Sequence, residues 1–358
     1  MSIKKTNSII SIHNNLDLIR FFAAIQVVFR HVFYKHDFEN KSLNLIKEII
    51  LAFPGVPIFF MVSGFLIYWS FERNSNNPKK YLKNRLLRIY PALWFCLFTT
   101  VIVVLIADKN KVILQNVEMF LIWILGQLSI IQFWTPNFLK FFGEGSPNAS
   151  LWSICVELQF YFFVPLLYYL VKKYPQYKFV IFSFLFIISI AFNHWISAFN
   201  KTDLIYKLGF VSLFQYLFYF LFGVFFYNYW SHIKNFIQNK FFLWIIIFLS
   251  SHFLLKDIID IDLNNYYLKS FYKLIFIFLL NITVLSFAFS YRDISDKILR
   301  KQDISYGIYI YHMLIINIFI QYNIPIKTYS SFSFILLGSI VMGSLSWFLI
   351  EKPILKKK

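Results

Sequence analysis

The chain has 358 residues, of which 59% are hydrophobic, 22% aromatic and 15% charged. Soluble domains are about 45–50% apolar and about 25% charged, so a water-soluble body is excluded: too few charges are present to cover one. The formal charge of +18 does not indicate nucleic acid. Lys and Arg sit in short gaps between apolar runs, where membrane orientation places them, and not on a basic face interleaved with stacking aromatics.

Runs long enough to cross a ~30 Å hydrocarbon core predict ten transmembrane helices, near 16–35, 49–70, 90–107, 150–171, 178–196, 208–229, 241–256, 271–290, 304–322 and 331–350. The fold class is therefore all-α and polytopic, one integral-membrane domain over 1–358. The first run contains Asp17, Arg20 and His31 and lacks a small-residue cleavage site, so it reads as a retained helix and not a signal peptide. A further run near 117–134 decides the orientation of everything after it. If it does not cross and the N-terminus is cytoplasmic, inside segments carry 21 Lys+Arg and outside loops 11; if it crosses, the counts become 14 and 18. The positive-inside rule selects the first arrangement: ten spans, both termini cytoplasmic, and 117–134 a re-entrant or interfacial helix.

Ionisable residues inside spans cost roughly 2.5–3.5 kcal/mol each and are functional candidates by default. Arg20 and His31 are eleven residues apart in the first span. At 100° per residue both fall on one helix face, separated by about 16 Å along the axis. A snorkelling Arg and a carbonyl-bonded His is the plain alternative. In the second span, "GVPIFFMVSGFLIYW" places Ser63 beside small residues that suit helix packing as well as a substrate wall. Arg85 and Arg88 share a face at the cytoplasmic start of the third span. Two guanidiniums there can grip phosphates, or simply set topology and bind anionic lipid.

After an outer loop, "SLWSICVELQFYFFVPLL" puts Ser150 and Glu157 on one face with Trp152 nearby. Glu157 is the one acid deep in that span and needs a partner: a base, a sugar hydroxyl or an arginine. The ninth span opens "DISYGIYIYHMLII", with Tyr309 and His312 at its inner half. "WFLIEKP" predicts that Glu351 and Pro353 end the last helix. His13, His36, His194, His232 and His252 have no ligand spacing, so no metal site is expected. Cys96 and Cys155 read as space-filling. No phosphate-binding loop, dinucleotide glycine pattern or nucleophile elbow occurs.

Taken in order, "LDLIRFFAAIQVVFRH", "IFFMVSGFL", "NRLLRIYPALW", "SLWSICVELQFYFFVPL", "ISYGIYIYH" and "IEKP" resemble the blocks of the membrane-bound acyltransferase 3 family, over about 15–353. One departure is Gly307, where the family often has serine. The resemblance implies an integral-membrane O-acyltransferase of the bacterial inner membrane. It implies acyl-CoA, usually acetyl-CoA, as donor and a sugar of lipopolysaccharide, O-antigen, exopolysaccharide or another envelope glycan as acceptor. With the chain stopping at Lys358, it suggests a stand-alone member. On this reading Arg85 and Arg88 hold the coenzyme A phosphates. Ser63, Ser150, Trp152, Tyr309 and His312 line the substrate path. Catalysis falls to His31, as general base or acyl carrier, with Arg20 and Glu157. A lipid-linked glycan transporter or flippase, and an acyl shuttle serving a separate esterase-like partner, stay open, as does the oligomeric state, homo-oligomer included.

Overall fold

A computed structural model describes residues 14–34, 38–259, 268, 271–291 and 293–356. Of the charges counted above, Lys4, Lys5, Lys35, Lys256, Lys269, Arg292, Lys357 and Lys358 lie outside these residues, or their side chains do; so do His13 and His36. Every regular element among the described residues is helical: α1 Leu16–Phe33, α2 Lys41–Leu51, α3 Gly55–Arg73, α4 Pro78–Ala107, α5 Val117–Leu128, α6 Trp152–Lys173, α7 Lys178–Ile196, α8 Leu204–Phe210, α9 Leu213–Ile237, α10 Phe241–Ile259, α11 Phe271–Ser290, α12 Ile294–Leu299, α13 Ser305–Gln321, α14 Tyr329–Ser346 and α15 Lys352–Lys356. Among the described residues, seven helical stretches are long and apolar enough to cross a membrane, including Lys41–Arg73, Pro78–Ala107 and Ala149–Lys173; Phe241–Leu254 is a shorter apolar helix. Helix α1 carries three charged residues in 18, and α13 is 17 residues long.

The chain forms two compact units. The first contains Met1–Ala23, Leu45–Ser75 and Phe162–Lys301. Its centre is the crossing of α3 and α9, where backbones touch: a Cβ on Gly64 or Gly223 would collide with the main chain of the opposite helix. The small residues of the second apolar run therefore serve helix packing. The start of α1 is pinned in this unit by Asn15. Its backbone N–H donates to Ala288 O at 3.0 Å, its Nδ2 donates to Tyr291 O at 2.5 Å, and its Oδ1 accepts from Ser295 N at 2.9 Å.

The second unit contains Ala24–Asn44, Asn76–Tyr161 and Gln302–Lys358. Here α4 starts twelve residues before the predicted span, capped by Asn77, whose side chain accepts from Lys80 N at 3.0 Å. At 30 residues it is about 45 Å long. Helix α5 occupies only 12 residues of the 117–134 run, about 18 Å, short of a ~30 Å core. Its C-terminal carbonyls bond back to α4: Tyr90 Oη donates to Ser129 O at 3.1 Å and Trp94 Nε1 to Leu128 O at 3.2 Å. Helices α13 and α14 meet at Gly307 and Gly343, where a Cβ on Gly307 would stand 2.5 Å from Gly343 Cα. Glycine in place of serine at 307 is thus a packing requirement of this chain.

The last helix differs from expectation. Glu351 and Pro353 do not end it. A π-turn over Trp347–Glu351 is followed directly by α15. A π-turn adds a residue to the helical circuit, which re-aims the side chains after it. Pro353 therefore lies within continuous helix, two residues after the π-turn.

Candidate functional site

His31 and His312 are 281 positions apart in sequence and meet in the second unit. Their ring centroids are 5.0 Å apart, with His31 Nδ1 3.3 Å from His312 Nε2. His31 Nδ1 is also 2.9 Å from Val27 O, one turn earlier on α1, and His312 Nδ1 is 2.6 Å from Tyr309 O. A carbonyl only accepts, so each Nδ1 carries a hydrogen in this network and each neutral ring keeps its lone pair on Nε2. The two histidines differ in access. His31 is exposed, whereas His312 is fully buried. His31 Nε2 is therefore a lone pair on an accessible ring, able to take a proton from a hydroxyl. Arg30 and Glu144 are the charged groups within electrostatic range of it.

The wall beside this pair is the segment 143–150, irregular backbone fastened along α13. Gly143 N donates to Gln321 Oε1 and Glu144 N to Asn317 Oδ1, each at 3.0 Å. Asn317 Nδ2 donates to Ser146 O at 2.7 Å, and Asn148 Nδ2 to Ile310 O at 2.7 Å. Ser150 Oγ donates to Asn148 Oδ1 at 2.7 Å, while Tyr309 Oη donates to Ser150 O at 3.1 Å and lies 2.7 Å from Ser153 Oγ. From Gln321 to Tyr309 the segment follows about 18 Å of α13. Ser150 and Tyr309 thus join the histidine pair, and Trp152 opens α6 two residues on. Asn148 and Asn317 escaped the sequence reading. An asparagine inside "LIINIFI" is costly in an apolar helix and was the available signal.

Glu157 is elsewhere in the unit. It lies seven residues past Ser150, about 10 Å further along the helix, and accepts from Tyr161 Oη at 2.9 Å. Tyr81 Oη donates to Tyr161 O at 3.2 Å. Arg85 and Glu157 both act electrostatically on Tyr81 and Tyr161, so the acid sits in the arginine neighbourhood. No hydrogen bond or ion pair joins it to His31 among the described residues. Arg85 Nε is buried without a hydrogen-bond partner. Arg88 is occupied. Its guanidinium is ion-paired with Asp303 and, at 3.3 Å, with Glu351, and lies 5.5 Å from the Trp347 ring centre. Glu351 is 2% exposed and accepts from Ser346 Oγ as well. Glu351 is the last residue of the π-turn.

Arg20 and Ser63 belong to the first unit. Arg20 Nη1 lies 3.9 Å from Asp17 Oδ1 on the preceding turn, and Ser63 is half-buried in α3. No cluster of three or more His, Cys, Asp or Glu among the described residues could hold a metal.

Fold and site together define a multi-pass helical membrane protein that carries an exposed imidazole against a buried one. The sequence profile of an acyltransferase domain matches residues 13–351, so the chain belongs to the acyltransferase 3 family and is a membrane acyltransferase. It is 30% identical over 357 residues to Nodulation protein 10 of Rhizobium leguminosarum bv. viciae, covering 96% of this chain and 93% of that one. It is 29% identical over 162 residues to the acyltransferase MdmB of Streptomyces mycarofaciens, which is 44% of this chain and 39% of that one. A putative peptidoglycan O-acetyltransferase, YrhL of Bacillus subtilis, is 29% identical over 158 residues, 42% of this chain and 23% of that protein. No solved structure matches the chain.

Proposed function

We propose that the protein transfers an acyl group, acetyl in the first instance, from cytoplasmic acyl-CoA to a hydroxyl of an envelope carbohydrate such as O-antigen or exopolysaccharide, in a bacterial inner membrane crossed ten times with both termini cytoplasmic. The observation that carries this reading is His31: an accessible imidazole whose Nδ1–H is engaged by Val27 O and which faces His312. In the reaction, Nε2 of His31 removes the proton of the acceptor hydroxyl as its oxygen attacks the thioester carbonyl carbon. A C–O bond forms and the C–S bond breaks. The coenzyme A sulfur leaves and takes back the proton held by the imidazolium. Neutral imidazole is available near pH 7, since its ordinary pKa is about 6.5.

Arg85 is assigned the donor's phosphates, because its Nε has no hydrogen-bond partner, with Glu157 and Tyr161 as the neighbours that hold it there. Arg88, already bonded to two carboxylates, is assigned to holding α4 against Asp303 and the π-turn. Ser150, Trp152 and Tyr309 face the acceptor. The O-acetyl chemistry named for the Bacillus relative supports an oxygen acceptor.

The test is purified protein in inverted vesicles with radiolabelled acetyl-CoA, followed by mass spectrometry of the acceptor glycan. Wild type adds one acyl mass. His31→Ala lowers transfer by at least about a hundredfold, the low end of what a general base contributes, with unchanged thermal unfolding. Unimpaired transfer by a well-folded His31→Ala protein overturns the scheme.

A further inference from the structure

We propose that His312 is a positioning residue that fixes His31 in the tautomer with its lone pair on Nε2; this rests on His31 being the base. Sequence reading placed His312 among residues lining a path, but the geometry gives it a narrower task. Its ring is fully buried, so substrate does not reach it. Its Nδ1–H is held by Tyr309 O at 2.6 Å, which leaves Nε2 as an acceptor 3.3 Å from His31 Nδ1. His31 Nδ1–H is thus shared between Val27 O and His312 Nε2. An imidazole free in water favours the opposite tautomer, with the hydrogen on Nε2, and that form cannot take a proton at the accessible nitrogen. Two acceptors converging on Nδ1 oppose this, and both also stabilise the imidazolium once the proton arrives.

The scaffold of His312 is unusually well fixed. Tyr309, whose carbonyl orients it, is anchored through its hydroxyl to Ser150 O and Ser153 Oγ. Ile310 O holds Asn148. The path from the outer segment to the base therefore runs Asn148 and Ser150, Tyr309, His312, His31. The charged groups facing His31 are Arg30 from its own helix and Glu144 from the segment 143–150. Neither bonds its Nδ1, so neither substitutes for His312.

Two buried, polar replacements separate positioning from mere packing. In His312→Gln the side-chain oxygen reaches about where Nε2 lies and still accepts from His31 Nδ1. In His312→Asn the amide is one bond shorter; it keeps a donor near Tyr309 O but has no acceptor within reach of His31. With each protein in lipid nanodiscs, two measurements are made: the His31 ring tautomer by nitrogen-15 NMR of histidine-labelled protein, and steady-state kinetics with acetyl-CoA. The expected result is the Nδ1–H tautomer in wild type and in His312→Gln, and growth of the Nε2–H form in His312→Asn. His312→Asn should also lose at least about tenfold in kcat with KM for acetyl-CoA within about twofold, since losing the orienting partner of a catalytic base costs up to about 10⁴-fold; His312→Gln should stay within about threefold of wild type. The same tautomer in all three proteins, or equal kcat losses in Gln and Asn, overturns the proposal. The tautomer measurement needs no substrate, so it decides the role of His312 even where wild-type protein transfers no acyl group, the outcome that would instead overturn the functional reading.

Discussion

Arg85 and Arg88 stand one turn apart on α4, and their surroundings set them different tasks. Arg88 faces two carboxylates, one of them 2% exposed. Removing the cation takes one ion-pair partner from each carboxylate, and breaking a buried ion pair from one side costs about 3–5 kcal/mol. Arg88→Leu is therefore expected to lower the thermal unfolding midpoint in detergent, and Arg88→Leu combined with Asp303→Asn and Glu351→Gln to recover part of it. Arg85, whose Nε has no hydrogen-bond partner, should behave oppositely. Arg85→Ala raises KM for acyl-CoA by about tenfold, the effect of one lost charge-assisted bond of about 1.5 kcal/mol, while the unfolding midpoint holds. Equal stability losses in the two variants would contradict this division. From sequence the two arginines were equivalent, because three-residue spacing reports a shared face and says nothing of what the face meets. The meeting of His31 and His312 was hidden for the same reason: a contact over 281 positions leaves no periodic trace.

At the scale of the helix, the apolar runs made most elements readable, and the departures have local causes. The run at 49–70 is divided by Pro54 into α2 and α3, since proline disfavours helical geometry in the residue before it. Helix α4 began early because charged residues at 79–88 disguise a helix to any reading based on hydrophobicity, although Asn77 followed by Pro78 is a ready start signal. The π-turn over Trp347–Glu351 had no signal in the sequence; it ends on the residue that pairs with Arg88. Gly307 was legible as a departure and illegible as to purpose until Gly343 was seen against it. Gly307→Ser should cost about 1–3 kcal/mol, the usual penalty of overpacking, measurable as a lower unfolding midpoint. A Gly307→Ser protein as stable as wild type would show that α13 and α14 do not meet as described.

For the whole molecule, the charge count makes a topological statement that chemistry can check. Cys96 and Cys155 are both buried, so a membrane-impermeant maleimide leaves intact native protein unlabelled. With both changed to Ser, a single cysteine introduced at Glu144 should label from the outer side of intact cells, and one at Lys240 only after the membrane is opened. Reversed labelling would overturn the orientation. The ion-paired Arg88 has one more consequence, in time. Asp303 and Glu351 follow it by 215 and 263 positions, and at about 5–20 residues per second the later partner emerges roughly 13–50 s after the arginine. For that interval α4 exists as a nascent helix whose guanidinium has neither carboxylate. Water or lipid phosphate at the membrane boundary can solvate it in that interval. Chains stopped at Ser346 are accordingly expected to insert and then be degraded faster than full-length chains in a pulse-chase, and equal lifetimes would show that the clamp is dispensable. Assembly of the second unit in that sense waits for Glu351.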